Sequence, residues 1–403
     1  MTHPWARPSY IRAMQIDLIQ QALREEGLDG WLFFDHHQRD PIAYRVLGFS
    51  PVQHVTRRWY YLIPAHGEPR GLGHQIEPDV LAELPGEKRL YAGWKQQKEC
   101  LTALLAGLGR VAMQYSPECA VPYVATVDGG TLELVRGCGV EVATSANLVQ
   151  LFEARWSAEA LASHREAQVR VDEIRRAAFA GVAGALRAGR ETNEFDVQQF
   201  IREKFQVNGL VTDHGPIVAV NANAANPHYE PSRERFAAIQ AGDLLLIDLW
   251  AKLDRPGSVF YDITWTGYCG AEPPSAMDNV FGVVARARDA AIDRVVRAAE
   301  SGEALAGYQV DDAARGVIEE AGFGEYFFHR TGHSIGEEVH GTGANMDNYE
   351  THDARKIIPN TGFSVEPGIY LADFGIRSEV NVYRGESHAE VTGEKQERLL
   401  RLL

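Results

Sequence analysis

Four carboxylates and a histidine in the second half of the chain stand where an ionised side chain is costly unless something positive holds it. In Leu244-Leu-Leu-Ile-Asp-Leu-Trp250, Asp248 interrupts an otherwise apolar, strand-like run, and no lysine or arginine follows before Lys252. The next strand-like run, Phe260-Tyr-Asp-Ile-Thr-Trp265, places Asp262 among bulky β-formers. Two buried aspartates on neighbouring strands suggest a shared cation. His333 sits between glycines in Gly332-His-Ser-Ile-Gly336, where the backbone can approach closely, and His340 follows. Glu366 ends a short apolar strand before Pro367-Gly368, and Glu379 is flanked by strand formers in Ile376-Arg-Ser-Glu-Val380. Taken singly, each reads as a turn residue, an ion-pair partner or a core polar group. Together they form a hard-to-borderline donor set, suited to Mn²⁺, Co²⁺, Fe²⁺ or Zn²⁺ and poor for copper(I) or iron-sulfur clusters. With two carboxylates bridging, the set fits a pair of ions that activate one water and clamp a reacting carbonyl.

These residues need strands and helices to bring them together. Apolar residues at helical spacing over Ile11–Glu26 predict a helix, and Gly30-Trp-Leu-Phe-Phe34 a buried strand. Strand-like runs at Trp59–Pro64 and Arg110–Tyr115, with helical stretches near Pro78–Leu84 and Lys98–Leu108, predict an α/β domain ending near residue 150. A long helix is expected over Ser157–Arg187, and a second after Thr192 as N-cap, with Glu194 and Asp196 in its first turn. Strands then follow at Pro216–Val220, Leu244–Leu249 and Phe260–Gly267, helices at Ser275–Ser301 and Val310–Ala321, and strands at Phe363–Val365, Ile369–Leu371 and Ser378–Tyr383. Two helices, strands, two helices, strands is an α+β order duplicated in pattern but not in sequence. On a strand through Ser378–Tyr383, alternation would place Arg377 and Glu379 on one face.

The chain has 403 residues, of which 45% are apolar, enough for a large core and more than one domain. Its net charge of -15, most of it in the second half, argues against nucleic-acid binding through phosphate neutralisation. Met1–Tyr10 lacks the apolar stretch of a secretory signal, and no apolar run is long enough for a membrane span, so a cytoplasmic location without membrane contact is expected. The four cysteines show neither metal-ligand spacing nor a disulfide framework.

The order Asp, Asp, His, Glu, Glu within LLIDLWA, YDITWTG, TGHSIG, SVEPGIY and RSEVNV resembles the pita-bread metallopeptidases, the family of methionine aminopeptidase, aminopeptidase P and prolidase. The first 150 or so residues resemble the creatinase-like N-terminal domain of aminopeptidase P and prolidase. The resemblance implies a creatinase-like α/β domain over residues 1–154 and a pita-bread catalytic domain over 155–403. It implies two divalent metal ions per subunit, Mn²⁺ or Co²⁺ ahead of Zn²⁺ or Fe²⁺. Asp248 would bind one, His333 and Glu366 the other, and Asp262 and Glu379 would bridge. Glu366 would also act as general base toward a hydroxide held between the ions. His228 would contact substrate near the scissile bond, and His340 would help to stabilise the oxyanion. Arg377 would meet a substrate carboxylate or orient Asp248, and His352 stands about where some prolidases carry a carboxylate-binding arginine. Arg57 and Arg58 are further candidates for that contact.

The activity so implied is hydrolysis of the Xaa-Pro bond in dipeptides by a homodimer. The rivals are an aminopeptidase P acting on longer peptides, a non-peptidase member acting on a small amide or osmolyte, and a metal-free binding module. Departures from the family pattern are a longer Asp248–Asp262 spacing through Asp254-Arg-Pro-Gly257, Trp265 in place of an arginine, Gly341 in place of a glutamate, and Val380 in place of an acidic residue. Asp213 and His214 stand where some prolidases have a tyrosine. These departures predict an atypical substrate preference.

Overall fold

Hydrophobic runs bounded by turn residues assemble into two compact units, Met1–Glu153 and Ala154–Leu403. The computed structural model describes residues 9–48 and 55–403. In the first unit, strands β1 (Gly30–Asp35), β2 (Trp59–Pro64), β3 (Arg70–His74), β4 (Glu87–Tyr91), β5 (Arg110–Met113) and β6 (Glu141–Thr144) form one mixed sheet in the order β4-β3-β2-β1-β5-β6. The central β1 and β2 are buried on both faces, as their unbroken apolar sequences require. Helices α1 (Ser9–Glu25), α2 (Pro41–Leu47), α3 (Trp94–Leu105), α4 (Gly129–Arg136) and the short α5 (Ala146–Val149) complete the unit. Residues Pro78–Leu84, expected to be helical, are instead a run of turns with i→i+3 bonds such as Val80 N–H to Glu77 C=O. Leu81 and Leu84 pack into the core, so burial supplied the periodicity without a helix.

The second unit opens with α6 (Ala158–Arg187), capped by Ser157, and α7 (Glu194–Val207). The N-cap of α7 is Asn193, not Thr192: its side-chain oxygen accepts from Asp196 N–H at 2.8 Å, the geometry in which asparagine caps best. Both helices pack on a sheet of β7 (Leu210–Val211), β8 (Ile217–Val220), β9 (Leu244–Leu253) and β10 (Tyr261–Tyr268). Helices α8 (Ser275–Ser301) and α9 (Gly307–Glu320) cover the second group, β11 (Ser334–Ile335), β12 (Thr361–Val365), the β13 (Gly368–Tyr370)–β14 (Gly375–Arg377) hairpin, β15 (Val380–Arg384) and β16 (Ala389–Thr392). β17 (Leu400–Arg401) closes the first group by pairing with β10. The helix-helix-strands order thus occurs twice. No helix among the described residues is long and apolar enough to cross a membrane.

Two features position the chemistry. In the β9–β10 hairpin the long turn leaves a regular register, with Thr264 opposite Asp248 and Asp262 opposite Trp250, so all four share one sheet face. The expected strand through Ser378–Tyr383 is broken: β14 ends at Arg377 and β15 begins at Val380. Glu379 lies in that break, where its N–H bonds Thr264 C=O of β10 at 3.1 Å. Strand alternation is therefore not what juxtaposes Arg377 and Glu379. A bond out of the strand to the other sheet does it.

Candidate metal centre

Asp248 and Asp262 arrive from β9 and β10, His333 from the residue before β11, Glu366 from the residue after β12, and Glu379 from the break before β15. Among the described residues, Asp262, His333 and Glu379 bring ligand atoms within 4.8 Å of one another. Nε2 of His333 lies 3.5 Å from Asp262 Oδ2 and 3.4 Å from Glu366 Oε1. The other ring nitrogen, Nδ1, is 3.2 Å from the Ser334 carbonyl, which can only accept, so Nδ1 carries the hydrogen. Burial depresses the His333 pKa despite the nearby Glu366, so the ring is neutral and Nε2 presents a lone pair. A lone pair converging with two ionised carboxylate oxygens is repulsive unless a cation or a proton stands among them. Ligands held about 2.1 Å from one ion at tetrahedral angles are separated by roughly 3.4 Å, which matches these contacts.

Two further oxygens fit the same requirement. Oδ1 of Asp248 and Oε1 of Glu379 are buried with no hydrogen-bond donor, while each residue's second oxygen is held in place. Thr264 Oγ1 donates to Glu379 Oε2 at 2.7 Å, and Arg377 Nη2 donates to Asp248 Oδ2 at 2.6 Å. Buried carboxylate oxygens without donors are expensive, and each is aimed and restrained as a metal ligand would be. Without a cation the cluster resists ionisation. Burial pushes Asp262 up to about 7 and Asp248 up to about 6, both despite Arg377. Burial and the neighbouring carboxylates raise Glu366 and Glu379 as well. The five residues therefore fit divalent metal.

The framework holding these ligands is made of hydrogen bonds. Ser364 Oγ accepts from His333 N–H at 2.9 Å and donates to Glu366 Oε1 at 3.0 Å. Asn381 Nδ2 donates to Asp262 C=O at 2.6 Å, and its Oδ1 accepts from Asp262 N–H at 2.9 Å. Arg377, with only 3% of its side chain exposed, also donates from Nε to Thr264 Oγ1 at 3.1 Å and from Nη1 to Tyr370 Oη at 3.0 Å. Of the two contacts expected of Arg377, the structure places it against Asp248. Behind it, His329 Nδ1 contacts Arg330 C=O at 2.7 Å, so the neutral ring accepts from Tyr370 O–H at Nε2, also at 2.7 Å. Burial, followed by the charge of Arg377, holds His329 down to about 3, keeping it neutral.

The remaining candidates divide. The His340 ring meets that of His333 edge-on, with centroids 4.4 Å apart, and ring burial followed by His333 lowers its pKa. His228 is an exposed turn residue whose N–H bonds Asn226 Oδ1 at 3.1 Å, and it contributes to the field at His340. His352 is not drawn into the cluster. Its Nδ1 meets Asn348 Oδ1 at 2.8 Å and its ring packs on Tyr308 in an exposed turn, because Asp347 accepts several turn N–H groups and holds that loop to itself. Arg57 and Arg58 belong to the other unit, where Arg57 Nη1 bonds Thr56. Two departures from the family pattern lie off the site. Trp265 alternates away from Asp262 and Thr264 and stacks under Arg175 of α6 at 3.5 Å, and Val380 is fully buried in the second core.

Thr264, Ser364, Asn381, Tyr370 and His329 were not singled out from sequence. Thr264 was within reach of alternation, two residues from Asp262 on the same strand face. His329 carried no such signal, since only tertiary packing brings it to Tyr370.

Residues 162–386 match metallopeptidase family M24. The chain belongs to that family. Among sequenced relatives, the Xaa-Pro dipeptidase of Lactobacillus delbrueckii subsp. lactis is 35% identical over 198 residues, covering 48% of this chain and 49% of the relative. The probable dipeptidase PepE of Mycobacterium bovis is 31% identical over 207 residues, 51% and 49% of the two chains. The chain spans about half the length of the curated relatives it matches. Dipeptidase PepE from Mycobacterium ulcerans superposes with a TM-score of 0.71 at 22% identity over 98% of this chain and 99% of that one. Xaa-Pro dipeptidase from Bacillus anthracis gives 0.63 at 21% over 96% and 99%. These likenesses establish the α+β pita-bread fold for this M24 member.

The approach of Gly332 to β12 explains why a glycine precedes His333. A Cβ there would stand 1.9 Å from the Ser364 carbonyl oxygen, which backbone cannot yield. Gly332→Ala is expected to cost about 1–3 kcal/mol or more and to displace His333. Thermal unfolding and a Mn²⁺ titration should show a lower Tm and metal affinity weakened by roughly tenfold, the scale seen for lost ligand support. Unaltered metal affinity would remove the argument that this contact sets the His333 position.

Proposed function

We propose that this M24 chain hydrolyses the Xaa-Pro bond of dipeptides, using two divalent cations held by Asp248, Asp262, His333, Glu366 and Glu379. The observation that carries this reading is the convergence of the His333 Nε2 lone pair on oxygens of Asp262 and Glu366. Bound there, the ion pair would lower the pKa of a water and draw charge from the scissile carbonyl. Glu366 takes the proton as water oxygen adds to the carbonyl carbon, and returns it to the proline nitrogen as the C–N bond breaks. A carboxyl raised by burial suits that exchange. His228 contacts the substrate near the scissile bond, and His340, beside His333, acts on the carbonyl oxygen as negative charge builds there. Arg377 fixes one oxygen of Asp248 and leaves the other for metal.

The names of the lactobacillary and Pyrococcus furiosus relatives, Xaa-Pro dipeptidases, support a dipeptide substrate. A bond to proline lacks the N–H and restrains the preceding residue, so general peptidases accommodate it poorly. Mn²⁺ or Co²⁺ as the ions, a homodimer as the assembly and the cytoplasm as the compartment belong to the same reading. The 31% identical Mycoplasma genitalium relative, a putative Xaa-Pro aminopeptidase, favours a second one on longer peptides.

A hydrolysis panel of Xaa-Pro dipeptides and Xaa-Pro-Xaa tripeptides, with and without Mn²⁺ or Co²⁺, separates the readings. Metal-dependent turnover of Ala-Pro is expected. Cleavage of Ala-Pro-Pro with negligible turnover of Ala-Pro would transfer the assignment to the aminopeptidase, and no metal uptake at all would leave a binding module.

A further inference from the structure

One carboxylate beside the centre has no part in holding metal. Strand β9 is flanked by β7, which pairs Val211 with Lys252, and by β8, which pairs Ile217 with Asp248. The loop between β7 and β8 must therefore pass alongside Trp250. There Asp213 Oδ1 accepts from Trp250 Nε1 at 2.8 Å, while Oδ2 lies 3.1 Å from His214 Nδ1. Trp250 stands opposite Asp262 and two residues from Asp248, on the face that carries the ligands. Its indole thus bridges from the centre to Asp213, whose side chain remains 39% exposed.

Among the described residues, no lysine or arginine pairs with Asp213. Partial burial works against its charge, but the indole N–H, His214 and the local backbone outweigh it and hold the carboxyl below the usual range. The charge is felt inside the site, at Asp262 and at His340. A negative charge beside the centre, not among the metal ligands and with no lysine or arginine paired to it among the described residues, is an acceptor for a cation on the substrate. The substrate's own ammonium is two bonds from the scissile carbonyl carbon and must stay beside the ligands. Asp213 stands an indole's length farther out, within reach of a long side chain.

We propose that Asp213 is a specificity-determining residue that favours lysine or arginine immediately before the scissile bond. This deepens the peptidase reading and rests on it. The test is the ratio of kcat/KM for Lys-Pro to that for Leu-Pro, with metal-loaded wild type, Asp213→Asn and Asp213→Glu. The ratio is expected to fall about fivefold in Asp213→Asn, to recover in Asp213→Glu, and to shrink in wild type as salt rises. A purely structural role would depress both substrates together and leave the ratio unmoved. Binding supplies an independent readout: tryptophan-fluorescence titration with the products L-lysine and L-leucine should show weakened affinity for lysine in Asp213→Asn. Turnover of Leu-Pro with an unchanged ratio and unchanged lysine binding overturns this inference alone. No turnover of any Xaa-Pro substrate by wild type overturns the peptidase reading and this inference with it.

Discussion

Replacing Glu366 by glutamine is expected to lower kcat for Ala-Pro by about a thousandfold at saturating metal, within the range for loss of a positioned general base. The amide oxygen keeps the acceptor for Ser364 Oγ, so the framework around His333 survives. What disappears is the group that accepts a proton from water and hands it to the departing nitrogen. Steady-state kinetics beside a thermal unfolding curve decide the matter. A variant retaining more than a tenth of wild-type kcat, with an unchanged melting temperature, would show that the proton goes elsewhere.

Chelating the metal should make stability depend steeply on pH, with a sign set by the four carboxylates. In the metal-free fold Asp248 titrates near 6 and Asp262 near 7, because burial penalises their charged forms. Unfolded, such groups titrate near 4. Between those values the folded chain holds protons that the unfolded chain has lost. The stability these groups confer is therefore full below about pH 4 and lost as pH rises through about 7. Metal reverses the trend, since ions bind the ionised fold, and stabilisation grows by about 2.7 kcal/mol at a hundredfold excess over Kd. Melting temperatures across pH 5 to 8, in chelator and in Mn²⁺, measure both effects. Asp262→Asn isolates the carboxylates from other titrations: its melting curve in chelator should slope less. Identical slopes for variant and wild type would refute the account.

Much of the centre was legible because burial and charge conflict in one dimension. Asp248 within Leu244–Trp250 and Asp262 within Phe260–Trp265 are anomalies that any strand assignment exposes, and the β9–β10 register then places them two pairs apart on one face. Less legible was anything set by a break in regular structure. Arg377 and Glu379 were expected to share a face of one strand, yet the strand stops between them, and Thr264 gathers both by accepting from one and donating to the other. The helix read over Pro78–Leu84 failed for a related reason, since turns can bury leucines at helical spacing.

Residue types alone determined that this chain carries a hard-to-borderline donor set in strand-like surroundings, because an aspartate among leucines must be neutralised in any compact fold. Which oxygen stays bare for a cation was decided only by tertiary structure. Arg377, Thr264 and Ser364 reach their carboxylates across 129, 115 and 2 positions of chain, and hydrogen-bond direction depends on where those partners finally stand. The same holds for Asp213, marked in sequence only as a departure from the family pattern, which comes beside Trp250 because β7 and β8 both pair with β9 and carry the loop past it.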